Sequence, residues 1–221
     1  MSGDRICVAG IDPITRRHVR PVTSEWEPLT RTLLGTRGGP LRVGALIEVE
    51  NPTERSIPPH TEDVHVSGSA FRLVRDLAWG EYMELLEAVR VRRLSDGFGV
   101  DFTRSPNGRL KLEQDSGSGS LCVVRKNTNK LRVRVIRNEE NGSENARLQI
   151  TLAGSMADLS ITDVRLYNDD GSVQRTRVAQ LTSKLAAARS AYVMLGLGRL
   201  WAPDDQEPAH WLQVNGLAIR S

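Results

Sequence analysis

The chain has 221 residues, 39% hydrophobic and 26% charged, with 30 basic against 27 acidic residues and a net charge of +3. This length holds one large or two small domains with a workable core, and no apolar run approaches the roughly 18 residues a membrane-spanning helix needs. The opening Met1-Ser2-Gly3-Asp4-Arg5 has no hydrophobic signal core, so the expected location is the cytoplasm.

In chain order, Arg5 to Val22 reads as a β-hairpin, two short β-branched runs flanking the turn chemistry of Asp12-Pro13 and Thr15-Arg16. Period-two alternation puts Arg16, His18 and Arg20 on one face of the second strand and Arg17 and Val19 on the other. Pro21 cannot donate to a ladder, which places Arg20 near a strand edge or end. From there it either reaches a phosphate or pairs with a carboxylate inside the fold. Thr23 to Gly44 is turn-rich, Ala45 to Glu50 alternates as a strand, and Asn51 to Pro59 is a loop before an extended piece around Asp63 to Val66.

His60-Thr61-Glu62-Asp63-Val64-His65 crowds metal-ligand residue types together. Its histidines are five apart on an extended segment and point away from one point, so no metal is expected. Glu62 and Asp63 are strand neighbours facing opposite ways. Tyr82, Leu85, Leu86 and Val89 recur at helical spacing and predict an amphipathic helix over Glu81 to Arg92. Asp115-Ser116-Gly117-Ser118-Gly119-Ser120 has linker composition and divides the chain into 1–114 and 121–221.

The second half is richer in strands. Leu121 to Arg125 and Lys130 to Arg137 bracket Asn127-Thr128-Asn129 as a hairpin. Arg147 to Ala153 and Leu159 to Tyr167 add two strands. Arg175 to Ala191 predicts a second helix burying Val178, Leu181, Leu185 and Ala188, and Tyr192 to Leu197 and Trp211 to Ile219 close the chain as apolar strands. Each half thus carries strands and one helix. The expected fold is mainly β with two helices, arranged as two OB-like small β-barrels in tandem. Cys7 and Cys122 lie in apolar strand-like runs, where they are expected buried and reduced.

No GxSxG, HExxH, Walker or GxGxxG element is present; Gly196-Leu197-Gly198 lacks the third glycine and a following helix. Asp163 ends a strand, where a carboxylate caps a turn or acts chemically. Only four of the 30 basic residues are lysine (Lys111, Lys126, Lys130, Lys184), and arginine suits phosphate and base contact. The arginines are spread along the chain, as a codon bias would also produce. Arg199, Trp201, His210 and Trp211 flank Ala202 to Pro208, and tryptophan beside arginine suits a single-strand groove. Tryptophan is also a common core residue, and the competing reading buries Trp211 with its neighbours Leu212 and Val214.

The opening Ile6-Cys7-Val8-Ala9-Gly10-Ile11-Asp12 with His18-Val19-Arg20-Pro21-Val22, then Pro59-His60-Thr61-Glu62-Asp63, resembles the dual OB-containing domain family of bacteria and archaea. Asp158-Leu159-Ser160-Ile161-Thr162-Asp163, Leu195-Gly196-Leu197-Gly198 and His210-Trp211-Leu212-Gln213-Val214 extend the resemblance over nearly the whole chain. It implies nucleic-acid binding, often as an accessory in prokaryotic conflict or defence systems, and brings no catalytic residue with it. The resulting expectation is a nucleic-acid-binding accessory protein of single-stranded DNA or RNA, working with protein partners in a larger system. Its contacts would be Arg16, His18, Arg20, Arg132, Arg134, Arg199, Trp201, His210 and Trp211, with no cofactor, metal or catalytic group. A protein-interaction scaffold would instead expose an apolar patch. A nucleotide or modified-base sensor or enzyme near Asp163 and His210 would need a pocket with convergent polar groups.

Overall fold

The opening hairpin forms around Asp12. Its carboxylate accepts from the Ile14 amide (2.8 Å) and the Thr15 hydroxyl (2.7 Å), and its carbonyl accepts from the Arg16 amide. These bonds hold the Asp12 carboxyl below its ordinary pKa, the Thr15 hydroxyl contributing most. The computed structural model describes residues 5–23, 29–67, 70–105, 108–139, 142–202 and 207–220, in two compact units, 1–89 and 90–221.

The first unit contains β1 (Arg5–Ile6), β2 (Gly10–Ile11), β3 (His18–Val22), β4 (Leu29–Thr30), β5 (Ala45–Val49), β6 (Thr53–Glu54), β7 (Asp63–His65), β8 (Phe71–Asp76) and helix α1 (Trp79–Val89). The hairpin is shorter than the sequence suggests: β2 pairs with β3, whereas β1 pairs with β4. Arg16 sits in the turn at φ +59° and so does not share a strand face with His18 and Arg20. Strand β3 runs parallel to β7, which sets Arg20 opposite Asp63. The Arg20 amide donates to the Glu62 carbonyl, and its Nε donates to Asp63 Oδ1 at 2.6 Å. Both side chains are buried, Asp63 completely. Helix α1 starts two residues earlier than expected and buries Met83, Leu85 and Leu86.

The second unit contains β9 (Arg90–Val91), α2 (Leu94–Phe98), β10 (Thr103–Arg104), β11 (Leu110–Glu113), β12 (Leu121–Asn127), β13 (Leu131–Arg137), β14 (Glu144–Leu152), β15 (Ser155–Ser160), α3 (Arg175–Ala187), β16 (Ser190–Leu197) and β17 (Ala209–Arg220). Six strands form one sheet in the order β10-β11-β17-β16-β12-β9, and β13-β14-β15 form another. Leu195, Leu197, Leu212 and Val214 from the first sheet join Leu148, Ile150, Leu152 and Leu159 from the second in one core, with Val178 and Leu185 of α3. Each such side chain contributes about 1.5–3 kcal/mol by leaving water.

The chain is therefore mainly β, as expected, with three α-helices among the described residues. Its sheets are open there; none closes into a barrel. Two local expectations fail. Asn127-Thr128-Asn129 does not join a hairpin, because β12 pairs with β16 and β9 while β13 pairs with β14. The Thr128 amide and hydroxyl instead donate to the carbonyls of Arg189 and Ala188, carrying the chain from one sheet to the other.

The Asp115 to Ser120 tract does not divide the units either. Its Ser118 amide donates to the Phe98 carbonyl, and its Ser120 carbonyl, in a fully buried residue, accepts from Leu197. A Cβ at Gly99, whose φ is +79°, would lie 2.1 Å from Ser118 Oγ, so this glycine admits the tract against the end of α2. Small polar residues here permit close packing rather than flexibility.

Removing one partner of a buried ion pair strands the other charge, at a cost of about 3–5 kcal/mol. Arg20→Ala should lower the unfolding free energy by that amount in urea denaturation, and Asp63→Ala in the same chain should restore part of it. A loss no larger than that of an exposed arginine would contradict a structural role for the pair. Cys122 is 2% exposed, but Cys7 is exposed rather than buried, because β1 is only two residues long and ends before it. A thiol reagent should therefore titrate one cysteine promptly in the native protein and the second only on unfolding.

Candidate nucleic-acid interface

Strand β17 is central to the second unit's larger sheet, and its alternation decides which side chains face the core. Leu212 and Val214 point inward; Trp211 and Gln213 lie on the other face and are half-buried. The register sets Trp211 opposite Lys111 of β11. Lys111 Nζ lies 5.7 Å from the centroid of the Trp211 ring, and the Arg109 guanidinium carbon lies 6.0 Å from it. Both are within the range in which a cation is attracted to the indole face.

The turn between β16 and β17 adds a second indole. Trp201 and Ala209 exchange backbone hydrogen bonds, and Trp211 Nε1 donates to the Trp201 carbonyl at 3.0 Å. The rings meet edge to face, 6.4 Å between centroids and 65° between planes. Trp201 stays 55% exposed, unusual for so large an apolar group. Neither the Arg109 guanidinium nor the Lys111 ammonium makes a hydrogen bond or ion pair among the described residues. Desolvation lowers the pKa of Arg109, followed by repulsion from Arg147, while Asp158 opposes the shift.

The outward face of β13-β14-β15 carries Arg134 opposite Arg147 and Arg147 opposite Ser160. Arg147 is buried and engaged through each of its three nitrogens: Nε donates to Asp158 Oδ2 (2.8 Å), Nη1 to Ser160 Oγ (3.0 Å) and Nη2 to the Asp158 carbonyl (2.6 Å). Arg134, about half exposed, reaches the same Asp158 oxygen at 3.0 Å. Arg132 is exposed on the same face.

The residues expected from sequence therefore separate into groups. Trp201 and Trp211 come together, and Arg132 and Arg134 share a sheet face. Arg199 is exposed near the start of the same turn. His210 lies on the opposite side of β17 from Trp211, 6% exposed, its Nδ1 3.0 Å from the Gly198 carbonyl oxygen, because a one-residue step along a strand reverses the face.

In the first unit, Arg20 is buried with Asp63 rather than presented on a surface. Burial pushes the His18 pKa down, against the pull of Glu62, and so disfavours its cationic form. Arg16 is exposed in its turn. Asp163 receives the Arg165 amide at 3.1 Å and the Arg165 guanidinium, so it caps the turn at 164–166. Sequence reasoning missed Arg109, Lys111, Arg147 and Asp158. The alternation Arg109-Leu110-Lys111-Leu112 held the signal for the first two.

Among the described residues no group of three or more His, Cys, Asp or Glu side chains could hold a metal ion, and no helix is long and apolar enough to cross a membrane. The comparison with curated proteins gives no match. A family profile described as a dual OB-containing domain matches residues 1–217, spanning both units and every motif that carried the resemblance. The chain belongs to the dual OB-containing domain family.

Proposed function

We propose that this protein binds single-stranded nucleic acid through residues 90–221, by stacking and phosphate contact rather than by catalysis. The observation that carries this reading is the exposed Trp201 ring set edge to face against Trp211, on which two cations, Arg109 and Lys111, lean without a protein acceptor among the described residues. An exposed indole offers a π-face to any unpaired base, and adjacent cations supply sequence-independent phosphate contact. Asp163 and His210, the candidates for chemistry, are instead engaged with Arg165 and the Gly198 carbonyl. The family resemblance extends the proposal to an accessory role, with protein partners, in a larger prokaryotic defence-type system in the cytoplasm. Co-purification of the tagged chain from its native host tests that extension.

Trp201→Ala should weaken binding of a labelled oligonucleotide by about 1–3 kcal/mol, with little change in salt dependence. Arg109→Ala and Lys111→Ala should each reduce the slope of log affinity against log salt by about 0.7, the single-strand value for one phosphate. Arg20→Ala, measured where the protein remains folded, should leave affinity unchanged. Fluorescence anisotropy at four salt concentrations separates these outcomes. Unchanged affinity in Trp201→Ala with an intact fold would instead favour the scaffold reading, with Trp201 and the neighbouring Leu200, 40% exposed, as its apolar patch.

A further inference from the structure

The two arginine-bearing surfaces of the second unit adjoin one another. Arg104, at the end of β10, donates to the Met156 carbonyl (2.7 Å) and the Ser155 hydroxyl (2.5 Å). This ties the β10–β11 hairpin to the start of β15. Arg109 follows on that hairpin, against Trp211 on the larger sheet and close enough to Arg147 and Asp158 to feel both charges. Beyond Arg147 lie Arg134, directly across the ladder, and Arg132, two residues earlier on the same strand face.

Arginines outnumber carboxylates along this path. Arg147 and Arg134 share one carboxylate, Asp158, whose Oδ2 accepts from both, while Glu113 shares the strand face of Arg109 and Lys111. Each side-chain nitrogen of Arg147 already donates within the protein. Arg134 makes one contact from a half-exposed side chain, and Arg132 is exposed. Arg132, and the donors of Arg134 not turned to Asp158, can take phosphate oxygens. Their spacing, two residues along a strand, is about 6.6 Å, on the scale of successive phosphates in an extended single strand. An acidic peptide would also answer this charge, but it has no use for the indole at the other end.

Resting on the nucleic-acid reading above, we infer that the ligand is an extended strand of several nucleotides, its bases starting at Trp201 and its backbone crossing Arg109 to end on Arg134 and Arg132. A mononucleotide or dinucleotide fills only the tryptophan end. Asp158 sets the strength of the far end, since Arg134 must share its charge between that carboxylate and the incoming phosphate.

Oligothymidylates of two to twelve nucleotides, labelled at one end, test the inference by anisotropy at fixed salt. Affinity for the wild-type chain should rise with length until about four or more nucleotides fill the site. Arg132→Gln with Arg134→Gln should remove that rise, weakening the long oligonucleotide by about tenfold and lowering its salt slope by about 1.4, or 0.7 for each lost phosphate. Dinucleotide binding should stay as in wild type, and a thermal melt checks that the exposed substitutions leave the fold intact. Equal losses on short and long ligands, or no loss on either, would overturn the extended path while leaving the tryptophan site standing. Displacement of the long oligonucleotide by an oligoglutamate of equal charge would also overturn it, marking the face as a site for acidic peptides. Failure of the wild-type chain to bind any oligonucleotide would defeat the nucleic-acid reading and this inference together.

Discussion

Register along β17 is the constraint on which the second unit depends. Its alternation buries Leu212 and Val214 in the shared core and turns Trp211 outward, opposite Lys111. A slip of one residue would drive the indole into the core and bring His210 to the surface. The core prevents this, because Leu195 and Leu197 on one neighbour and Leu110 and Leu112 on the other face the same interior. The bulge between Met194 and Leu195 adds one residue to β17 and keeps both halves of the strand in phase with that core. The position of the outward tryptophan is thus a consequence of apolar packing on the far side of the sheet.

Strand content, both long helices and the apolar closing strands were legible from periodicity, because a buried face repeats its residue type at the period of the element. The pairing was not. Asn127-Thr128-Asn129 carries turn chemistry, but a turn of that composition serves equally to change sheets, and the choice is made by distant strands such as β16. The Gly/Ser tract failed for a related reason: small residues permit flexibility in water and close approach in a fold, and Ser118 against Gly99 shows the second use. The candidate site was half legible. Trp201 and Trp211 were visible as a pair, whereas Arg109 and Lys111 lie about a hundred residues upstream of Trp211, beside its indole only because β11 pairs with β17.

The two motifs in the first unit read differently once folded. His18-Val19-Arg20-Pro21-Val22 forms β3, and Pro59-His60-Thr61-Glu62-Asp63 leads into β7, which runs parallel to it, with Arg20 and Asp63 buried together. Arg20 Nη2 is buried without a hydrogen-bond partner, and so costly a group persists only where the surrounding packing enforces it. Those residues specify how the first unit folds.

In the second unit burial divides the arginines by task. Arg147, with each of its three side-chain nitrogens engaged, holds β14 and β15 together and fixes Asp158. Arg104 fastens a hairpin. Side chains left partly in water, among them Arg109 beside the indole and Arg134 and Arg132 on the sheet, keep donors for an external acceptor. A lysine at 147 could not satisfy Ser160, the Asp158 carboxylate and its carbonyl from one planar fork. The buried arginine therefore keeps positive potential beneath a surface whose exposed arginines meet the solvent, and Asp158 neutralises only part of that charge. A polyanion reaching this face would find its binding groups already in place, which lowers the ordering cost of association.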